Sequence, residues 1–243
     1  MEMSDIALRE LGAMQETVDG LGGSEWTTPT ALRGWTVEQL VRHVTEVATR
    51  QGEAYHRANI EVSEKPSDAP VTVPTERLPG ALTIASSFLA NAVQGVDRTD
   101  DPPVPMPFAV VPASTADFLL LFEYGFHRFD LEHALTGSAR LSPDVVDTIT
   151  ALLGISLTAI AASDARPPCT DITIEPDNWP ATCFSWQDGK WTTTDQPGTD
   201  PWTVRGSAEA IARFAFGRPT PDGELAVDSG EMATAFKTIF PGP

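Results

Sequence analysis

This 243-residue chain has four histidines, His43, His56, His127 and His133, each able to bind a metal through a ring nitrogen. His127 follows Glu123 by four residues in the stretch FLLLFEYGFHRFDLEHALTG. On a helix that spacing puts a carboxylate and an imidazole one turn apart on one face, within reach of one ion. Leu119, Leu120, Phe126 and Leu131 flank the pair and turn it toward a core. A buried ionised glutamate is costly unless it is paired or metal-bound, and a divalent cation offsets that cost. His43 lies between Leu40 and Val47 on a second amphipathic segment and points inward by the same reasoning. Two imidazoles and one carboxylate leave coordination positions open, which marks a catalytic zinc site rather than a closed structural one. The same donors suit non-haem iron, so zinc comes first, with iron or another divalent metal as alternatives. Glu46 is a rival carboxylate. Asp130, three residues after His127, either orients an imidazole N–H or is a solvated surface group. His56 and His133 read as surface residues near helix ends or outer faces.

The elements that must hold these groups follow from the pattern around them. Residues 4–21 carry Ala7, Leu11, Met14, Val18 and Leu21 at helical steps, stopped by Gly22-Gly23. Thr36 and Gln39 form a T-x-x-Q capping box that opens the helix bearing His43. A polar stretch at 61–75 is a loop, and a third helix spans 79–94 with Pro79 near its start and Gly95 past its end. The prolines of DRTDDPPVPMPFAVVP forbid a continuous helix, and so long a loop suits a functional wall or lid. The Glu123–His127 helix starts near Ser114, with Asp117 as its box partner, and runs to Gly137. A fifth helix, about 143–162, has Ser142 as N-cap and Pro143 in its first turn. Beyond DARPP at 164–168 the period changes to two. TDITIE, TCFSW, KWTTT, PWTVRG and ELAVDS read as strands, Ser207 caps a helix over 208–216, and EMATAFKTIF is a last short helix. The fold class is α+β: a four- or five-helix bundle over 1–165, then a small mixed α+β domain over 166–243.

Composition narrows the partners. The formal net charge is -18, which repels nucleic-acid phosphates and anionic lipid surfaces, so neither is an expected partner. The start of the chain lacks the basic and apolar regions of a secretory signal, and a cytoplasmic location is expected. Cys169 and Cys183 match no zinc-knuckle or redox spacing and read as small apolar residues of a β-rich segment.

The segments GWTVEQLVRHV (34–44) and EYGFHRFDLEHALTG (123–137) resemble the signature segments of the mycothiol-dependent maleylpyruvate isomerase family, within the wider DinB-like metal-binding bundles. WTVRGSAEAIARFAFGRP (202–219), followed by ELAVDSG, resembles that family's second domain, so the likeness spans nearly the whole chain in order. The resemblance implies zinc held by His43, Glu123 and His127, and mycothiol, a low-molecular-weight thiol, as cosubstrate. It implies a small-molecule substrate of the maleylpyruvate type, isomerised by thiolate addition to a cis double bond, bond rotation and elimination. Such a substrate carries two carboxylates, for which bidentate arginines are the expected clamps. Arg205, Arg213 and Arg218 in the second domain are the candidates, with Arg77 and Arg98 near the bundle loops. A metal-dependent thiol S-transferase is the first alternative, and a non-catalytic small-ligand or metal-binding protein the second.

Overall fold

The computed structural model describes residues 2–66, 70–162, 169–228 and 230–241. They form two compact units, Met1–Leu141 and Ser142–Pro243.

The first unit is a bundle of four long helices. Helix α1, Met3–Asp19, turns Ala7, Leu11, Met14 and Val18 inward and ends at Gly20. A short 3-10 turn, Gly23–Thr27, leads into a loop closed by two backbone bonds, Thr30 N–H to the Trp35 carbonyl (2.8 Å) and Val37 N–H to the Thr28 carbonyl (2.9 Å). Gly34 makes this closure at φ +81°, a conformation that costs most other residues about 1 kcal/mol or more. Helix α2, Val37–Asn59, then begins with the expected box: Gln39 N–H donates to Thr36 Oγ1 (3.4 Å) and Thr36 N–H to Gln39 Oε1 (2.8 Å). Helix α3 is Leu78–Gln94, and helix α4 is Ala113–Thr136, ended by Gly137 in the left-handed conformation. Helix α1 packs on α4 and α2 on α3, with α1–α3 and α2–α4 contacts closing the bundle. Leu11, Met14, Val44, Leu82, Leu89, Leu120 and Phe129 are sealed between them. Each such side chain contributes about 2 kcal/mol by leaving water.

Two details of this unit differ from the sequence pattern. The proline-rich segment before α4 is a small hairpin, β1 (Pro103–Pro105) against β2 (Val110–Pro112), resting on α2 and α4. The start of α4 is capped from outside the helix: Asp101 accepts both the Ser114 N–H (2.7 Å) and its hydroxyl (2.8 Å). Asp117 is therefore no box partner. It lies inside the bundle, accepting the Tyr55 hydroxyl (2.7 Å) and Arg98 Nη2 (3.0 Å).

The second unit wraps four helices around a mixed sheet. The helix expected over 143–162 is two, α5 (Pro143–Ala151) and α6 (Leu153–Ile160), bent by 67° at Leu152. The bend lets α6 lie on the sheet, where Gly154 meets Thr193 and Thr182 too closely for a larger side chain. Both helices pack within this unit, and the units divide between Leu141 and Ser142, whereas the change of period along the sequence puts the division at 165/166 and these helices with the bundle. The DARPP segment itself, 164–168, lies outside the described residues. Strands β3 (Asp171–Pro176), β4 (Thr182–Gln187), β5 (Lys190–Thr194), β6 (Trp202–Gly206) and β7 (Leu225–Val227) lie in the order β5-β4-β3-β6-β7. The β3–β6 pair is parallel and the other pairs are antiparallel. Helix α7, Ala208–Ala215, starts at Ser207, whose hydroxyl accepts the Ala210 N–H. Helix α8, Gly230–Ile239, packs Phe236 on Phe240, whose ring in turn meets Phe184 and Trp191. Among the described residues no single helix is long and apolar enough to cross a membrane.

Candidate metal centre

Helix α2 presents His43 in its second turn, and α4 presents Glu123 and His127 near its middle. The capping box fixes where α2 begins, and hence the direction in which His43 leaves it. The three side chains converge within the first unit. Nε2 of His43 is 2.9 Å from Glu123 Oε1, and Nε2 of His127 is 3.3 Å from the same oxygen. One ligand atom from each lies within 4.8 Å of the other two. Donors bound tetrahedrally to one ion at zinc distances stand about 3.3–3.6 Å apart, so small side-chain adjustments suffice to accommodate a cation. The imidazole rings stand nearly perpendicular, at 83° with centroids 5.1 Å apart.

The charges fit the same picture. Burial works against the Glu123 carboxylate, but the His127 charge and hydrogen bonds from both imidazoles hold its pKa well below the usual range. Burial likewise disfavours charge on His127, yet the Glu123 charge and the Asp130 hydrogen bond push its pKa up to about 9. That upward shift favours the imidazolium, whose two N–H groups would face Asp130 Oδ2, 3.0 Å from Nδ1, and Glu123, 3.3 Å from Nε2. A divalent cation held by these residues would take the place of the Nε2 proton and would supply positive charge beside Glu123. Two nitrogens and one oxygen, a donor set that leaves further coordination positions open, suit zinc and also iron.

Comparison with known proteins gives this geometry its setting. Residues 7–132, just over half of the chain, match the mycothiol maleylpyruvate isomerase N-terminal domain. The chain belongs to that family. It is accordingly an enzyme, and the family domain contains all three converging donors. Two solved structures, one of the mycothiol-dependent maleylpyruvate isomerase and one of a histidine-to-alanine variant of it, share its fold. Each has a TM-score of 0.69 and 18% identity over 94% of this chain and 92% of that chain. No curated protein matches the sequence.

The remaining candidates are placed as follows. Glu46 is not in the cluster; its Oε1 accepts the Val71 N–H at 3.0 Å. His56 is exposed beside Phe88. His133 is not a plain surface residue: it is half-buried and stacked on Phe129, and its Nδ1 has no hydrogen-bond partner among the described residues. Arg77 is exposed, and Arg98 is tied to Asp117. Arg205, Arg213 and Arg218 lie in the second unit. Arg205 has 55% side-chain exposure and pairs with Glu175 and Asp228. Arg213 is buried, donating to the Pro219 carbonyl (2.6 Å) and facing Glu209 (3.4 Å). Arg218 is also buried and donates to the Phe216 carbonyl (2.8 Å).

Trp35 is a site residue that helical spacing does not reveal. Its ring centroid lies 4.9 Å from that of His43, edge to face, and 6.4 Å from that of His127, nearly parallel. It immediately precedes the capping threonine, so the Gly34 turn and the cap together set it against both imidazoles. Position next to a cap is the signal that could have pointed to it.

Proposed function

We propose that this enzyme uses mycothiol to convert a cis-enoyl acid of the maleylpyruvate type to its trans isomer, with zinc held by His43, Glu123 and His127. The observation that carries the reading is the convergence of these three donors in a chain of this family. A divalent cation in such a site lowers the pKa of a bound thiol, so that thiolate is available at neutral pH. The thiolate sulfur adds to the double bond, and the electron pair moves onto the conjugated carbonyl oxygen as an enolate. The former double bond is now single and rotates. Collapse of the enolate expels the thiolate and restores the double bond as trans, so no thiol is consumed.

Within the chain, Glu123 and His127 hold their donors on one rigid helix face while His43 closes the set from α2. The Trp35 ring covers part of both imidazoles and limits water on that side. Of the three arginines proposed to meet substrate carboxylates, Arg205 is the strongest candidate, because its side chain is the exposed one. Arg213 and Arg218 are better suited to bracing the turn after α7.

Purified enzyme is expected to carry about one zinc per chain, with His43→Ala and Glu123→Ala metal-free. Full metal retention in both variants removes the site. Incubation with mycothiol and a cis-enoyl acid should change the absorbance of the conjugated enone while titratable thiol stays constant. Stoichiometric loss of thiol would instead identify an S-transferase. Arg205→Ala should raise KM for the diacid and leave stability within about 0.5 kcal/mol; an unchanged KM excludes that clamp.

A further inference from the structure

We propose that Asp130 is a positioning residue of the metal centre. It holds His127 as the Nδ1–H tautomer, so that the Nε2 lone pair is the ligand, and it supplies the second negative charge that balances a divalent cation. The proposal rests on the metal reading above.

Three observations converge on it. Asp130 Oδ2 lies 3.0 Å from His127 Nδ1, on the side of the ring opposite Glu123. The Asp130 side chain has 0% exposure, so its carboxylate is a charge removed from water, which is costly unless a specific partner repays it. His127 and Asp130 are three residues apart on α4, so the helix itself places them on one face, and their hydrogen bond holds the ring's orientation. The neighbouring Arg128 is engaged elsewhere, with Glu10, Glu132 and the Arg140 carbonyl. A carboxylate behind a ligating imidazole selects the tautomer and raises the basicity of the nitrogen facing the metal.

The charge count gives this a consequence. Glu123 and Asp130 together carry two negative charges, equal and opposite to a divalent ion, so an arriving thiolate makes the centre anionic. Asp130→Asn keeps an oxygen to accept the Nδ1–H but removes one charge. Asp130→Ala removes both.

The test compares zinc affinity of the unaltered enzyme and the two variants by chelator competition, with circular dichroism to confirm folding. Long-range proton–nitrogen NMR of the histidine rings in the zinc-loaded protein supplies a readout independent of activity. The expected result is affinity about ten- to a hundredfold weaker in Asp130→Asn and weaker still in Asp130→Ala. In the unaltered protein His127 should show a protonated Nδ1 and a metal-bound Nε2. A bracing role in α4 alone would lower thermal stability and leave zinc affinity unchanged. Should Asp130→Ala fail to fold, Asp130→Asn decides the matter. Unchanged zinc affinity in folded Asp130→Asn, or metal on His127 Nδ1, overturns the proposal while leaving the metal site intact. Failure of the unaltered enzyme to bind zinc overturns both.

Discussion

Zinc loading should be strongly pH-dependent, and the size of the effect follows from His127. In the metal-free enzyme its pKa stands near 9, because Glu123 and Asp130 outweigh the effect of burial. A cation must displace the Nε2 proton, so at pH 7 the proton is favoured by about two units. That weakens apparent affinity about a hundredfold, or ~3 kcal/mol. Apparent affinity should therefore climb about tenfold per pH unit from 7 toward 9 and then level off. The metal-free fold shows the opposite trend. A raised histidine pKa stabilises the protein fully below the unfolded value of 6.5, and that contribution is lost as pH rises through about 9. The assay is competition against a chromophoric chelator of known protonation behaviour, with thermal melts of metal-free protein across the same range. Equal apparent affinity at pH 7 and pH 9 would refute the reasoning, since it would mean that no proton leaves when metal binds.

Other variants test the framework. Thr36→Ala removes the cap of α2 and should cost about 1 kcal/mol in urea unfolding. Arg128→Leu leaves the nearly buried Glu10 carboxylate without this cation and should destabilise the enzyme by about 3 kcal/mol in the same assay. Gly206→Ala would put a methyl group 2.3 Å from the Glu224 carbonyl oxygen, forcing β6 and β7 apart at a cost of about 2–3 kcal/mol, measurable by denaturant titration.

The convergence of His43, Glu123 and His127 was legible because helical periodicity is strictly local. The i, i+4 spacing of Glu123 and His127, and the apolar neighbours of His43, fix the direction of each side chain before any tertiary contact forms. The T-x-x-Q cap is likewise written in adjacent residues, and so is the glycine that ends α4. What could not be read depends on distant partners. The bend at Leu152 is marked locally only by Gly154, a weak breaker that helices often tolerate; the bend lets Gly154 rest on threonines about thirty to forty residues away. The hairpin over 103–112 is three residues to a strand and rich in proline, too short to show alternation, and the helices beneath it help to hold it. Asp117 carried the right spacing for a cap, but Tyr55 and Arg98 claim it, while Asp101 reaches Ser114 from a loop. The arginines show the same limit: charge and order along the chain do not reveal that Arg213 is turned onto the Pro219 carbonyl.

The two cysteines have a practical consequence for work with a thiol cosubstrate. Cys183 is sealed in the sheet, and burial pushes the Cys169 thiol up to about 11, so it stays protonated at neutral pH. A protonated sulfur is a poor nucleophile and resists oxidation and disulfide exchange. The enzyme should therefore contribute almost no background to a colorimetric sulfhydryl count. Mixed disulfides with the added cosubstrate should form slowly enough for turnover to be followed over long incubations.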